Sequence, residues 1–294
     1  MNGVLNIYKP QEMTSHDVVA IVRKALNTKK VGHTGTLDPM ATGVLPICVG
    51  RATKIVDFIQ SDKKTYRTEI TLGTSTDTED CWGSVVETKA VNVTDESFRA
   101  AILSFIGEIE QVPPMYSALK VNGKKLYELA RQGKTVERKA RLRTIYDIFD
   151  IEIDGHKASF SVTCSKGTYI RTLCTDIGKQ LDTLAHMSAL ERTSSGPFTT
   201  KDAITIDQVR NLGNQLVDRF YSIDQALGFE KKIYISEKAK ELIQNGVKID
   251  LMRYVKFDYN QDDYVLVYHK EQFIALARFN EDQLKVTKLF EIKR

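Results

Sequence analysis

Between Gly32 and Gly43 the sequence reads GHTGTLDPMATG, and this stretch holds a single carboxylate, Asp38. Gly32, Gly35 and Gly43 permit positive φ or close backbone approach, while Pro39 turns Asp38 away from the αR region toward an extended conformation. A lone carboxylate fixed in this way has the chemistry of a nucleophile or of a group that stabilises developing positive charge, and ordinary carboxylates are ionised near neutral pH without a separate base. A glycine-rich turn is more often purely structural. A phosphate cradle would need GxxxxGK[ST], and this loop contains no lysine or arginine.

Further residue types suited to chemistry lie elsewhere in the chain. Lys64-Thr65-Tyr66-Arg67 is an aromatic and basic strand start, and Lys166-Gly167-Thr168-Tyr169 precedes Arg171 in the first turn of an expected helix. A cation at that end opposes the helix macrodipole and calls for an anionic partner. Nine basic residues against two acids fall between Tyr116 and Arg143. Such a patch is either an electrostatic footprint for a polyphosphate or a solvated face.

Composition bounds the rest. At 294 residues, 42% hydrophobic and 27% charged, the chain should hold one large domain, alone or with a small one, and bury a sizeable core. Cys48, Cys81, Cys164 and Cys174 lie far apart without CxxC spacing, which argues against zinc, redox chemistry and a disulfide framework and points to a reducing, cytoplasmic setting. The amino terminus lacks a signal-peptide pattern, and no run approaches the ~18 apolar residues of a membrane span.

The elements that must position these groups follow from periodicity. We expect a strand over Val4–Tyr8 and a helix from Ser15 with a Thr14/Asp17 capping box. Val44–Val49 should be an apolar strand, Thr53–Ile59 a helix and Tyr66–Leu72 an alternating strand, with Gly73 to Asp80 a loop. A helix after Asp95, a hairpin at Asn122-Gly123 and a helix from Lys125 to Gln132 follow. Ile145–Ile153 and Ala158–Cys164 should pair as strands ahead of a helix over Thr168–Leu181. Beyond a boundary near Gly228 to Lys232, Ile233, Ala239, Leu242 and Ile243 suggest a short helix ending at Asn245-Gly246, then short strands around Val255, Val265–Tyr268 and Phe273–Ala277.

GHTGTLDPMATGVLP, DKKTYR, LGTSTDTED, PPMYSALKVNGKKLYELAR and CSKGTYIRTLCTDIG occur in that order, and together they resemble the bacterial tRNA pseudouridine synthase B family over nearly the whole chain. The resemblance implies an α+β fold with a mixed, mainly antiparallel sheet flanked by helices and a basic RNA cleft over residues 1–229. A small β-rich PUA-like RNA-binding domain would follow over 230–294. It implies isomerisation of uridine 55 in the T loop of tRNA, with base flipping and no cofactor or metal. By the same resemblance Asp38 is the nucleophile, Arg171 its bidentate ion-pair partner, Tyr66 the residue that stacks on uracil and assists proton removal from carbon 5, and His33 the group that fills the space the base vacates. Lys9, Asp77, Tyr169 and Leu190 would line the pocket. Lys120, Lys124, Lys125, Arg131, Arg138, Lys139, Arg141 and Arg143 would grip the RNA backbone. The implied partner is the tRNA T stem-loop, with no membrane, no obligatory protein partner and a monomeric state. An RNA-folding chaperone and the guide-RNA-dependent branch of the superfamily are the competing readings.

Overall fold

A computed structural model describes residues 1–60, 63–121, 123–253, 260, 262–280 and 283–290. Its strands in chain order are β1 (Gly3–Lys9), β2 (Val31–His33), β3 (Thr42–Val49), β4 (Lys64–Leu72), β5 (Thr74–Thr76), β6 (Val85–Thr88), β7 (Gly107–Gln111), β8 (Lys120–Val121), β9 (Lys124–Lys125), β10 (Arg141–Asp154), β11 (Lys157–Cys164), β12 (Ala185–Ser195), β13 (Phe198–Thr199), β14 (Lys232–Tyr234), β15 (Tyr264–His269), β16 (Gln272–Asn280) and β17 (Gln283–Leu289). The helices are α1 (Ser15–Ala25), α2 (Val56–Gln60), α3 (Asp95–Leu103), α4 (Leu126–Ala130), α5 (Ile170–Gln180), α6 (Ile206–Leu212), α7 (Ile223–Leu227) and α8 (Glu237–Gln244). None of the described helices is long and apolar enough to cross a membrane.

Nine described strands form one sheet in the order β1-β3-β12-β4-β11-β10-β7, with β2 beside β3 and β13 beside β12. The pairings are antiparallel except at β3 and β12, where Thr42 and Gly43 run parallel to Glu191 and Arg192. This is the mixed, mainly antiparallel arrangement expected. Strict alternation along β4 turns Tyr66, Thr68, Ile70 and Leu72 to the covered face and leaves Arg67 and Glu69 on the other. The apolar side of α1, Val18, Val19 and Val22, joins Ile7, Leu45, Ile70 and α5's Leu173 and Ile177 in the main core.

The second sheet runs β14-β15-β16-β17 and encloses its own cluster with α8's Ala239 and Ile243. Its other side, through Leu266, Tyr268, Leu276 and Phe290, packs against Val4, Val44, Cys48 and Phe198 of the large sheet. Ile233, expected in a helix, lies in β14, where it pairs beside Val267 and feeds that cluster. The stretch Gly73 to Asp80 is less irregular than expected, since Thr74–Thr76 pairs with Val85–Thr88. The expected turn residue Asn122 and the expected strand at Val255 lie outside the described residues.

The aspartate loop is tied down from three sides. The Thr14/Asp17 capping box starts α1, and the Ser15 hydroxyl accepts from the Leu37 amide at 2.9 Å. Lys9, 0% exposed at the end of β1, donates through Nζ to the carbonyls of Pro10 (2.9 Å), Met13 (2.7 Å) and Pro39 (2.9 Å). Gly43 has φ +104, and a Cβ there would lie 2.2 Å from the Arg192 carbonyl oxygen, so the parallel contact needs a residue without a side chain. Gly43→Ala is expected to cost about 2 kcal/mol or more through strain and backbone clash, measured as a lower urea midpoint with an unchanged slope.

Burial pulls the Lys9 ammonium down to about 8, against the opposite pull of Asp38. Its native pKa is therefore below that of the unfolded chain, which binds the extra proton between about 8 and 10.5. The cost of the buried charge is present in full below pH 8 and relieved as pH rises through that window. Wild-type stability relative to Lys9→Met should accordingly rise by about 2 kcal/mol between pH 7.5 and 9.5. Urea titrations of both proteins at the two pH values check this, and a difference that stays constant would contradict it.

Candidate active site

The site forms where the 32–43 loop, the start of α5 and the 77–80 turn meet. Arg171, 4% exposed in the first turn of α5, contacts Asp38 Oδ2 through Nε at 3.0 Å. The anion that a cation at a helix start calls for is thus in place. The pair is not the fork expected from the sequence. Nη1 donates to the Thr78 carbonyl at 2.8 Å and Nη2 to the Tyr116 carbonyl at 2.9 Å, so two edges of the guanidinium anchor two other segments. The Asp38 carboxylate stays 40% exposed, open to an incoming group.

Asp77 is not drawn into this cluster. Its side chain is on an exposed turn, where Oδ1 accepts from the Ser84 amide at 2.8 Å. Asp80 takes the place beside the arginine instead, with Oδ2 3.8 Å from Arg171 Nε and Oδ1 held by the Thr78 hydroxyl at 2.6 Å. Asp80 closes the TDTED run, and an isolated bridge to Met187 fixes it against β12. Glu79, which precedes it at φ +65, accepts from the Thr172 hydroxyl at 2.6 Å, and burial raises its pKa.

Tyr66 is 8% exposed on β4, and burial raises its phenol pKa. His33 is half-buried at the end of β2, with Nδ1 accepting from the Gly35 amide at 3.3 Å and an edge contact to the His16 ring at 5.1 Å between centroids. That bond places the proton of the neutral ring on Nε2. Burial, reinforced by His16 and Arg192, lowers its pKa and favours the neutral form. Tyr169 caps α5, its backbone held at both ends by Gln111. Leu190 packs on the main core and joins Met40, Thr42 and Thr68 in lining a depression of about 300 Å³.

The basic residues divide into two sets. Lys120, Lys124, Arg131, Lys139 and Arg141 are exposed, with Arg131 over the Tyr127 ring and the half-exposed Lys125 over the same ring. Arg138 and Arg143 are partly committed to the protein, donating to the carbonyls of Pro113 and Gly167. Among the described residues no three His, Cys, Asp or Glu side chains converge in a metal-ligating group.

Two residues of the site were given no role from the sequence. Asp80 was passed over within a run of acids whose spacing does not say which one turns inward. Arg192 is 1% exposed and holds both limbs of the aspartate loop, donating from Nε to the Val44 carbonyl (2.7 Å) and from Nη2 to the Gly35 carbonyl (3.2 Å). The signal for Arg192 was available, because strand alternation puts it on the same face as Leu190.

Comparison with known proteins places the chain in a family. The profile of the TruB family pseudouridylate synthase N-terminal domain matches residues 23–170, and that of the tRNA pseudouridylate synthase B C-terminal domain matches 171–227. A tRNA pseudouridine synthase B of Clostridium perfringens (strain ATCC 13124) is 49% identical over 293 residues, covering 98% of this chain and 99% of its own. One of Alkaliphilus oremlandii is 53% identical over 249 residues, or 85% and 83% of the two chains. Among solved structures, a chain of a Cbf5-Nop10-Gar1 complex aligns with a TM-score of 0.77 and 28% identity over 99% of this chain and 85% of that one. A chain of an H/ACA RNP bound to a substrate RNA containing 2'-deoxyuridine gives 0.74 and 27% over 98% and 85%. These alignments run through the C-terminal sheet, in keeping with a PUA-like module there. With residues 23–227 matched by the family's own profiles and a 49% identical relative aligned over 98% of the chain, the chain belongs to the TruB family of pseudouridylate synthases and is an isomerase of that family.

Proposed function

We propose that this protein converts uridine 55 in the T loop of tRNA to pseudouridine, with Asp38 as the nucleophile. The observation that carries the reading is the Asp38–Arg171 pair at 3.0 Å, which presents a partly exposed carboxylate oriented by a buried guanidinium, within electrostatic reach of Tyr66. Isomerisation detaches the base from its N-glycosidic link, rotates it and rejoins it through carbon 5. A carboxylate serves by adding covalently to the ring or ribose, or by stabilising charge as the bond breaks. Either route needs the carboxylate held in one place while the base turns, which is what the Arg171 contact supplies.

Tyr66 stacks on the uracil and takes the proton that carbon 5 must lose, while Leu190 packs against the ring's other side. A uridine within a folded T loop has to be turned out of its stack at a cost of a few kcal/mol, and His33, neutral and wedged beside Gly35, fills the gap it leaves. Asp80, reaching the site through Arg171, is the acid of the TDTED run that approaches the flipped base, in place of Asp77. Lys9 acts from beneath by fixing the Pro39 carbonyl, and Tyr169 by capping α5. The exposed cations of the 120–141 stretch meet backbone phosphates, which makes binding salt-dependent. Residues 1–229 form the catalytic domain, and residues 230–294 form a PUA-like module directed at the acceptor stem. The reaction as proposed uses no cofactor and no protein partner, and a monomer suffices for it.

Purified protein is incubated with a T-arm stem-loop carrying tritium at carbon 5 of the target uridine, without cofactor or metal, and tritium release is followed under single-turnover conditions. Asp38→Asn should lower the rate on the order of 10⁴-fold or more with RNA affinity retained. Release that persists near the wild-type rate would remove Asp38 from the mechanism. Arg171→Lys keeps the charge but loses the donors to Thr78 and Tyr116, and should cost roughly 10²-fold in rate. A loss confined to RNA affinity would argue that Arg171 is a binding group only.

A further inference from the structure

Arg192 is the largest fully buried side chain of the described residues, and no carboxylate there comes within ion-pair distance of it. A guanidinium so enclosed is costly unless its donors are used and its charge is met. The Val44 and Gly35 carbonyls use two donors. The charge is met by neither.

Register says what lies on each side of it. Arg192 pairs directly with Tyr66 across β12 and β4, and with Gly43 across the parallel contact of β12 with β3. Cross-strand partners hold their Cβ atoms about 5 Å apart, so one residue links the aspartate loop to the site tyrosine. The two interact electrostatically as well. Burial raises the Tyr66 phenol pKa, and Arg192, by charge and by hydrogen bonding, is first among the influences that lower it. The other charged or titratable groups acting on Tyr66 are Cys164 and Asp38, and both push it upward.

We infer that Arg192 is a positioning residue that acts through Tyr66, supplying the counter-charge for the phenolate that must form before the tyrosine oxygen can take the proton from carbon 5. This rests on the isomerase reading above. In that step Tyr66 has already given its own proton to solvent, the C5–H bond breaks, the proton passes to the phenolate oxygen, the C5–H electron pair forms the C5=C6 double bond, and the C6=N1 pair moves onto N1, which takes a proton from solvent. Tyr66 returns the proton to solvent once product leaves. Arg192 changes no bond. Its fixed cation makes an otherwise buried phenolate tolerable, and its hold on Gly35 and Val44 keeps the aspartate loop in register with that oxygen.

The test compares two stem-loops, one with tritium at carbon 5 and one with 5-fluorouridine, which has no proton there to lose. Arg192→Met should bind both within about threefold of wild type, lose tritium release by about 10²-fold, and convert the fluorinated uridine with less than a tenfold loss, read by chromatography of digested nucleosides. Equal losses on the two substrates would overturn the inference and leave Arg192 as a prop for the loop. If Arg192→Met does not fold, Arg192→Lys carries the comparison. With the charge kept and the span to Gly35 and Val44 lost, it should slow both substrates alike, and a selective loss of proton release would overturn the role of the charge. A wild-type protein that releases no tritium sinks the isomerase reading itself, and this inference with it, whereas wild-type release combined with equal losses in the variant sinks only the inference.

Discussion

Lys9, Arg171 and Arg192 are 0%, 4% and 1% exposed, and all three surround one short loop. Burying three cations in so small a volume is unfavourable in isolation. They are tolerated because each spends its donors on backbone carbonyls. Lys9 takes Pro10, Met13 and Pro39, Arg192 takes Gly35 and Val44, and Arg171 takes Thr78 and Tyr116. The loop gains the fixed geometry that a helix or strand would otherwise provide, and the site gains a positive field around its one partly exposed carboxylate. The same bonds do both.

That arrangement requires the topology around it. β3 leaves the loop and runs parallel to β12 for two residues, and β12 then pairs antiparallel with β4, so loop, Arg192 and Tyr66 fall in one transverse line. Register shifts in β12 on either side of Leu190 and Arg192 bracket the segment that faces the site. A bulge re-aims side chains locally without moving the sheet, which lets one strand serve the core at Ala185 and Met187 and the site a few residues later. Gly43 is the cost of bringing the backbones this close, since a side chain there would occupy the Arg192 carbonyl.

The elements that alternate or cap cleanly were legible in the sequence. β1, α1 with its box, β4 and α5 all lie within a few residues of where periodicity put them, because hydrophobic patterning and caps are local signals. Ile233 was misread because a short apolar run has no period of its own, and its strand exists only through pairing with β15. The 73–80 stretch was read as loop because β5 and β6 are short and carry few side chains into a core. Asp38 and Arg171 were each conspicuous for local reasons, a lone acid among glycines and a cation at the wrong end of a helix. That they meet through one nitrogen, with the other two turned to loop carbonyls, is a matter of three-dimensional approach that spacing does not encode. Arg192 shows the converse: alternation from Leu190 pointed to its face, but an arginine in a strand reads as a surface residue until the backbone around it is known.

The three nitrogens of Arg171 also tie the Asp38 carboxylate to the basic stretch. Nη2 is committed to Tyr116, the residue at which the basic stretch begins, and Nη1 to Thr78, in the turn that delivers Asp80. A planar guanidinium cannot follow one partner without rotating away from the others. Any displacement of the 116–143 stretch must therefore be absorbed at the same group that orients the Asp38 carboxylate. A lysine in this place would decouple the two, since an ammonium on a flexible stem can keep its ion pair while the carbonyls move. The arginine makes the geometry of the Asp38 carboxylate depend on both flanking segments being seated.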